Sequence, residues 1–269
     1  MTDLTVERAG DTVDGTPILE ARGIVKTYGH VQALQGADFV AYPGSVVALI
    51  GDNGAGKSTL TKVISGVVSP DHGELLFEGR PVEIPSPAAA QELGIETVFQ
   101  DLALAPDLDG AANIYLGREI RRPGLLGKLG VLDKRAMRSG AVDSFASLGV
   151  AIRDADVPVA YLSGGQRQGV AVARAAAWAR KVIIMDEPTA ALGVVQTANV
   201  LDVIRRVRER GLAVVLISHN MPEVLEVADR IEVLRLGRRV ATFTREEATL
   251  ESLVGAMTGA LSSPQDAPS

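Results

Sequence analysis

Apolar and polar residues alternate over residues 18–50, the first stretch of the chain with a regular pattern. The segments ILEARGIVKTY and DFVAYPGSVVALI have the period of two that is typical of strands with one buried face. Tyr42-Pro43-Gly44 predicts a turn inside the second segment, and Glu78-Gly79 predicts a bend between two strands in ELLFEGRPVEI. The first part of the chain is therefore predicted to consist of short strands.

The pattern changes after residue 100. Residues 101–160 are rich in Ala, Leu, Asp and Arg at helical spacing, with Gly and Pro breaks, and they predict helices inserted into an α/β core. Beyond them strands and helices alternate, with strands predicted over residues 182–185, 213–218 and 231–236 and helices over 194–210 and 222–228. Apolar strands that alternate with amphipathic helices are typical of a parallel sheet covered on both faces.

The helix predicted over 194–210 has one apolar face that would pack on such a sheet. Gly211 is expected to end this helix, because glycine is the favoured residue just after a helix C-terminus. The apolar face is expected to carry Val195, Val200, Val203, Ile204 and Val207.

Composition and charge exclude several classes of protein. The chain has 269 residues, 46% of them hydrophobic, so it can bury a full core. Its formal net charge of −6 argues against nucleic acid as the main partner, because nucleic-acid-binding proteins usually concentrate positive charge. The sequence contains no cysteine, which excludes disulfides, thiolate metal sites and cysteine nucleophiles.

The ends of the chain and the lengths of its apolar runs bear on its location. No apolar run approaches the ~20 residues that a membrane-spanning helix needs, so membrane association is expected to depend on a partner protein. The first residues contain acids and lack the apolar stretch of a secretory signal. Residues 1–16 and 261–269 are polar and are expected to be disordered.

The first chemical motif is a glycine-rich loop between a predicted strand and a predicted helix. Its glycines allow backbone N–H groups to converge on phosphate oxygens at a helix N-terminus. Lys57 supplies a cation for the β/γ-phosphates and Ser58 a hydroxyl ligand for Mg²⁺. The alternative is a glycine-rich turn that matches by accident. The motif consists of Gly51, Asp52, Asn53, Gly54, Ala55, Gly56, Lys57, Ser58 and Thr59.

The second motif is a pair of acids at the end of the apolar run 182–185. Asp186 is suited to holding Mg²⁺, and Glu187 is suited to accepting a proton from an attacking water. The alternative is a strand that ends in two solvated acids, which is common. Phosphoryl transfer needs both a metal holder and a water-positioning group, so the pair gains weight beside the phosphate-binding loop.

The third motif stands at the start of a helix predicted to run to about residue 180. Ser163 is a good N-cap residue, and the glycines after it expose N–H groups that form a second anion site. Taken alone, the segment would be only a well-capped helix start. The motif consists of Leu162, Ser163, Gly164, Gly165 and Gln166.

The three motifs, in this order, resemble those of ATP-binding-cassette (ABC) transporter ATPases over residues 18–236. The resemblance implies a P-loop NTPase fold of the α/β class, with a mostly parallel core sheet flanked by helices. It also implies an N-terminal antiparallel β subdomain and a helical subdomain inserted at about residues 101–175, all within one ATPase domain over 17–260. In this family the third motif, here called the signature segment, completes the ATP site of a partner cassette.

Further residues match the family by position. Tyr28 resembles the aromatic residue that stacks on adenine, although it could be an ordinary strand aromatic. Gln100 resembles the glutamine that contacts Mg²⁺ and water and senses the permease. His219 resembles the histidine that contacts the γ-phosphate, and with Glu187 and Gln100 completes the catalytic set that the resemblance implies. The implied metal-binding residues are Ser58, Gln100 and Asp186.

One position departs from the family pattern. After EPTAAL most family members have an aspartate, whereas this chain has Gly193. The substitution removes a hydrogen-bond acceptor and adds backbone freedom, so the hydrolysis rate or the coupling between sites could differ from the family norm. Because Glu187 and His219 are present, active hydrolysis is predicted.

Several stretches are similar to the ribose/xylose/fructose branch of bacterial sugar importers: ETVFQDLALAPDLDGAANIYLGRE, EPTAALGV and ISHNMPEVLEVADRIEVLRLGRR. The similarity implies ATP and Mg²⁺ as cofactors, a homodimer of single cassettes, permease subunits as partners and, indirectly, a periplasmic or extracellular sugar-binding protein. It places the chain at the cytoplasmic face of the bacterial cytoplasmic membrane. The alternatives are a soluble ABC ATPase outside transport and a nucleotide-gated dimerisation module with little hydrolysis.

Overall fold

The computed structural model describes residues 15–150, 157–190 and 192–260. The expected disorder at residues 1–16 and 261–269 lies outside the described residues, apart from Gly15 and Thr16. Within the described ranges, no helix is long and apolar enough to cross a membrane.

Ten strands and nine α-helices form the described fold. The strands are β1 (Leu19–Tyr28), β2 (Val31–Ala41), β3 (Val46–Gly51), β4 (His72–Phe77), β5 (Arg80–Val82), β6 (Ile95–Val98), β7 (Val182–Asp186), β8 (Ala213–Ile217), β9 (Arg230–Arg235) and β10 (Arg238–Thr244). The helices are α1 (Lys57–Ile64), α2 (Pro87–Leu93), α3 (Gly110–Ile114), α4 (Leu125–Lys128), α5 (Lys134–Leu148), α6 (Gly164–Trp178), α7 (Val194–Glu209), α8 (Met221–Val227) and α9 (Leu250–Thr258), with a short 3-10 turn at Val159–Tyr161 before α6.

The strands form two sheets. The first sheet has the order β2-β1-β4-β5 and is antiparallel throughout, since each of its strands pairs with its neighbour in the opposite direction. The second has the order β10-β9-β3-β8-β7-β6 and is parallel except for the antiparallel edge strand β10. This arrangement confirms the predicted fold class.

Both faces of the parallel sheet are buried, as the continuous apolar strands predicted. Successive side chains of a strand point to opposite faces. In β3, Val46, Ala48 and Ile50 pack in the core that includes residues of α6 and α7. Val47 and Leu49 pack in a second core that lies against the antiparallel sheet and α1. The parallel sheet is therefore the central layer, with one hydrophobic core on each of its faces.

Helix α7 begins and ends close to the predicted bounds, but one residue of its predicted apolar face is wrong. Val200, Val203, Ile204 and Val207 are buried, whereas Val195 is 70% exposed. Val195 lies five positions before Val200 in the helix. Because a helix turns about 100° per residue, the side chain of Val195 points about 140° away from that of Val200 and lies off the buried stripe. The last turn ends as predicted, with the N–H of Gly211 donating to the carbonyl of Arg208 at 2.8 Å.

Between β6 and α6 the described chain is mainly helical, with α3, α4 and α5 joined by loops. Two isolated bridges, Asp109 with Pro158 and Arg121 with Leu132, close these loops. The helical character agrees with the sequence pattern. The division into one domain over 17–260 with a helical subdomain at about 101–175 stays a prediction.

Candidate functional site

The glycine-rich loop follows β3 and enters α1, and its path requires glycine. The φ angles of Gly51, Gly54 and Gly56 are 156°, 80° and 104°, in the region that L side chains rarely adopt. A Cβ atom on Gly51 would lie 2.3 Å from the carbonyl oxygen of Leu234, and one on Gly56 would lie 2.8 Å from that of Ala33. The backbone of neighbouring strands thus leaves no space for side chains at Gly51 and Gly56. The resulting narrow loop would fit a phosphate group.

The N-terminus of α1 is open to a ligand. Its N-cap is Gly56, and no side chain caps the helix. The N–H groups of a first helical turn lack partners within the helix and carry partial positive charge, so an uncapped start favours an anion. Asp52, Asn53 and Gly54, on the outer side of the loop, are exposed, as is Ser58 in the first turn.

Lys57 folds back over the loop. Its Nζ donates to the carbonyls of Gly51 at 2.7 Å and Asp52 at 3.1 Å. Burial lowers the pKa of Lys57, while the negative charges of Glu187, Asp52 and Asp186 act in the opposite direction. The ammonium group is therefore within the electrostatic influence of both acids of the second motif.

Three adjacent strands bring the remaining chemical groups to the same edge of the sheet. The register pairs Ile217 at the end of β8 with Leu49 of β3 on one side and Asp186 of β7 on the other. The glycine-rich loop, Glu187 and His219 all follow within two residues of these positions. Ligands bind at the carboxyl ends of strands in sheets of this type.

Glu187 and His219 are in direct polar contact at this edge. The Nδ1 atom of His219 lies 2.6 Å from Oε2 of Glu187, whose side chain is 15% exposed, whereas that of His219 is 71% exposed. Glu187 has a left-handed φ of 52°, and its N–H donates to the carbonyl of Ile217 at 2.9 Å. A left-handed non-glycine residue is uncommon and is often found at functional sites.

Asp186 ends the buried strand β7 and is itself half-buried. Burial raises the pKa of Asp186, the neighbouring charge of Glu187 raises it further, and Lys57 and Lys62 lower it. A cation at this point would favour the charged carboxylate and remove part of that cost. The Ser58 hydroxyl, the Asp186 carboxylate and the Gln100 amide oxygen, which the resemblance implies as ligands, are the oxygen donors that suit Mg²⁺.

Glu223, which the sequence pattern did not indicate, joins the two loops that carry Glu187 and His219. Its carboxylate accepts a hydrogen bond from the Thr189 hydroxyl and another from Nδ2 of Asn220 at 2.7 Å. Thr189 follows Glu187, and Asn220 follows His219. The signal in the sequence was the position of Glu223 in the first turn of α8. Acids are also common in the first turn of a helix for stability alone, so this signal was not specific.

The signature segment starts α6 as predicted, with a capping box. The Ser163 hydroxyl accepts from the N–H of Gln166 at 3.3 Å, and Oε1 of Gln166 accepts from the N–H of Ser163 at 2.9 Å. Ser163 and Gly164 are exposed, and Leu162 is half-buried.

The start of α7 borders the signature segment. A Cβ atom on Gly165 would lie 2.6 Å from Cγ of Gln196, and one on Gly193 would lie 2.7 Å from Oε1 of Gln196. The Gln196 side chain thus occupies the space beside both glycines. A cleft of about 630 Å³ lies here, with Ser163 and Gln166 in its lining.

Gln100 and Tyr28 lie at the ends of strands and are exposed. Gln100 is two residues past the end of β6. Tyr28 is the last residue of β1 and is 44% exposed, with Nζ of Lys26 5.8 Å from its ring centroid. His30 and His72 are also exposed.

The sequence matches a family model described as ABC transporter over residues 34–190. The fructose import ATP-binding protein FrcA of Rhizobium meliloti is 56% identical over 253 residues, which cover 93% of this chain and 97% of FrcA. The xylose/arabinose import ATP-binding protein XylG of Sulfolobus acidocaldarius is 47% identical, with 90% and 94% covered. The ribose import ATP-binding protein RbsA 2 of Burkholderia pseudomallei is 44% identical over 90% of this chain, but the match covers 47% of that protein.

Solved structures share the fold. A nucleotide-free ATP-binding cassette from an ABC transporter superposes with a TM-score of 0.76 and 27% identity, covering 89% of this chain and 96% of that one. The ADP conformation of MJ1267, an ATP-binding cassette of an ABC transporter, gives a TM-score of 0.75 and 26% identity, with 91% and 96% covered. From its motifs, its fold and these relatives, the chain belongs to the ATP-binding cassettes of the ABC transporter family.

Proposed function

We propose that this chain is the ATP-hydrolysing subunit of an ABC importer for a monosaccharide. The observation that carries the chemistry is the convergence of Lys57, Asp186, Glu187 and His219 at one edge of the parallel sheet. The sugar class is supported by the 56% identity to a fructose import protein along almost the full length of both chains.

ATP is proposed to bind with its phosphates in the loop of residues 51–59. The narrow glycine-rich loop and the uncapped start of α1 favour the phosphate oxygens, and Lys57 would exchange its two carbonyl partners for phosphate. Tyr28 would stack on the adenine through its exposed ring. The amide groups of the loop and the side chain of Thr59 complete the proposed pocket.

Mg²⁺ is proposed to be held by Ser58, Asp186 and Gln100, with phosphate oxygens and water as its other ligands. Among the described residues no group of three or more His, Asp or Glu side chains forms a metal cluster, and Mg²⁺ in nucleotide sites seldom needs one. When bound, Mg²⁺ would neutralise negative charge on the phosphate oxygens.

Glu187 is the proposed proton acceptor for the attacking water. Its carboxylate is in contact with the exposed imidazole of His219 at the carboxyl edge of the sheet, where the γ-phosphate would lie. When ATP arrives, His219 can turn from Glu187 to the phosphate, which leaves Glu187 free to act on water.

The active unit is proposed to be a dimer of this chain. Leu162, Ser163, Gly164, Gly165 and Gln166 of one copy would face the ATP held by the other. The exposed hydroxyl of Ser163 and the exposed start of α6 support this role. Closure of the two copies around ATP would be passed to permease subunits, and hydrolysis would reopen the dimer.

The permease is proposed to contact the region near Gln100 and residues 101–117. The chain would then lie at the cytoplasmic face of a bacterial cytoplasmic membrane, with a periplasmic or extracellular sugar-binding protein as an indirect partner. No nucleic-acid partner is proposed. Purification from detergent-solubilised membranes should recover this chain with a polytopic protein, and recovery of a wholly soluble chain beside its expressed permease would favour an ABC ATPase outside transport.

Glu187→Gln tests the catalytic proposal. Because the amide cannot accept the proton, phosphate release by the purified protein should fall by roughly a hundredfold or more, while ATP binding is kept. Glu209→Gln, an exposed change at the end of α7, is the matched control and should leave the rate unchanged. Equal phosphate release by Glu187→Gln and wild type would instead favour a dimerisation module that does not depend on hydrolysis.

A further inference from the structure

Two consecutive peptide carbonyls close to Gln100 are bound by one guanidinium group. Arg174, on α6, donates from NH1 to the carbonyl of Ala103 at 2.6 Å and from NH2 to the carbonyl of Leu102 at 3.0 Å. Hydrogen bonds from a charged donor are among the stronger ones in proteins. Helix α6, which begins at the signature segment, is thereby tied to the turn that follows Gln100.

The turn held by Arg174 has an unusual backbone. Leu102 and Ala103 have φ angles of 60° and 45°, although neither is glycine. Such conformations persist only where surrounding contacts impose them. Arg174 is half-buried, and burial lowers the pKa of its guanidinium while the charges of Glu96 and Asp101 oppose that effect. The guanidinium is thus an internal support for this turn rather than a solvated surface charge.

The same loop also holds the segment that leads into Ser163. The N–H of Ala160 donates to the carbonyl of Pro106 at 2.9 Å, and the N–H of Val159 donates to the carbonyl of Leu108 at 2.9 Å. The loop after Gln100 therefore contacts the signature region at two places: through backbone bonds ahead of Ser163 and through Arg174 in the helix behind it.

Asn113 fixes the far end of this loop. Its side chain is fully buried, and its amide accepts from the N–H of Ala105 at 2.8 Å and donates to the carbonyls of Ala105, Leu108 and Asp109. A buried amide with all these bonds satisfied favours one conformation of the loop. The loop is thus a defined structural element between Gln100 and α3.

We infer that Arg174 is a positioning residue that joins the loop after Gln100 and the signature segment into one unit. Displacement of Gln100 would then be passed to Ser163 through the loop and the guanidinium. The inference rests on the proposed function, in which Gln100 serves the chain's own ATP and Ser163 serves the ATP of its partner. Arg174 would then couple the chain's own ATP site to that of its partner without touching either nucleotide.

Hydrogen exchange tests the unit without reference to hydrolysis. In the full chain without nucleotide, Arg174→Gln should speed amide exchange at Val159 and Ala160 on the order of tenfold, because their acceptors lie in the loop that Arg174 supports. Trp178→Phe is the matched control, since it removes another side-chain bond from α6, the 2.8 Å bond from Nε1 to the carbonyl of Ile114. It should leave exchange at Val159 and Ala160 unchanged.

Steady-state ATPase measurements test the positioning role. Arg174→Gln should lower kcat by roughly tenfold to a hundredfold with KM for ATP changed little, because the phosphate loop is untouched. Arg174→Lys, which can keep one of the two bonds, should fall between Arg174→Gln and wild type. Thermal unfolding of each variant identifies any loss of folded protein.

The two kinds of failure can be told apart. Unchanged exchange at Val159 and Ala160 in folded Arg174→Gln would overturn the inference, as would a kcat of Arg174→Gln equal to that of wild type. Absence of hydrolysis by the wild type, or no effect of Glu187→Gln, would instead count against the proposed function, and the exchange experiment would still decide whether the structural unit exists.

Discussion

At the residue scale, two neighbouring acids differ because of their surroundings. Asp186 ends a buried strand, and burial raises the pKa of its carboxyl. Glu187 leaves the strand with a left-handed φ of 52° and contacts His219. One step along the chain therefore separates a group suited to holding a cation from a group suited to accepting a proton.

Asp186→Asn should stabilise the nucleotide-free protein while removing Mg²⁺-dependent hydrolysis. The buried charge is costly without a cation, so its loss should raise the free energy of unfolding by up to about 1 kcal/mol. Urea unfolding measures the change, with Asp143→Asn on an exposed part of α5 as the control.

The pH dependence of this effect has a definite sign. The pKa of Asp186 is raised in the folded protein, so the cost of its charge is present above the folded pKa and is relieved as pH falls through it. The advantage of Asp186→Asn should therefore shrink in acid. An advantage that grows as pH falls would contradict the assignment of a destabilising buried charge.

At the element scale, helices are positioned by stripes of side chains and by their ends. Helix α7 packs through Val200, Val203, Ile204 and Val207, while Val195 in its first turn points into the cleft beside the signature segment. Helix α6 begins with a capping box, so local hydrogen bonds fix the residue at which it starts. These two helix starts border the same cleft.

Val203→Ala and Val195→Ala test the faces of α7. Val203 is 5% exposed, so its truncation should lower the free energy of unfolding by about 2 kcal/mol through lost burial and a new cavity. Val195 is 70% exposed, and its truncation should stay within about 0.5 kcal/mol of wild type. Chemical denaturation compares them, and equal losses would contradict the observed orientation.

At the scale of the whole molecule, two regions of one chain are the half-sites of the proposed function. The glycine-rich loop, Asp186 and Glu187 lie at the carboxyl edge of the parallel sheet, while Ser163 opens α6 beside the cleft with Gln196. In the proposed dimer each half-site would be completed by the second copy. Binding and hydrolysis of ATP should therefore respond differently to changes in the two places.

Ser163→Arg should abolish hydrolysis yet leave ATP binding to the isolated monomer nearly intact, because a bulky side chain would block only the shared interface. Lys57→Ala should weaken both, because it removes the cation from the phosphate loop. Nucleotide titration at low protein concentration measures binding, and phosphate release measures turnover. Full turnover by folded Ser163→Arg would require the shared site to be abandoned.

Much of the fold followed from patterns in short stretches of sequence. Strands β3, β7 and β8 and helix α7 lie close to their predicted bounds because continuous apolar runs and a helical stripe are local signals. Helices α2 and α9 and strand β10 were not predicted, although Ser86 caps α2 and Thr249 caps α9. The capping residues of the two helices were a local signal for where each one starts.

The sequence by itself determined features that depend on residues close along the chain: the glycine-rich turn between β3 and α1, the N-cap at Ser163 and the alternation of buried strands with helices. The tertiary structure alone decided which distant groups meet. Arg174 binds a carbonyl 72 residues away, and Glu223 binds Thr189 34 residues away. Backbone conformation and capping are set by local sterics and hydrogen bonds, whereas long-range contacts depend on how whole elements pack.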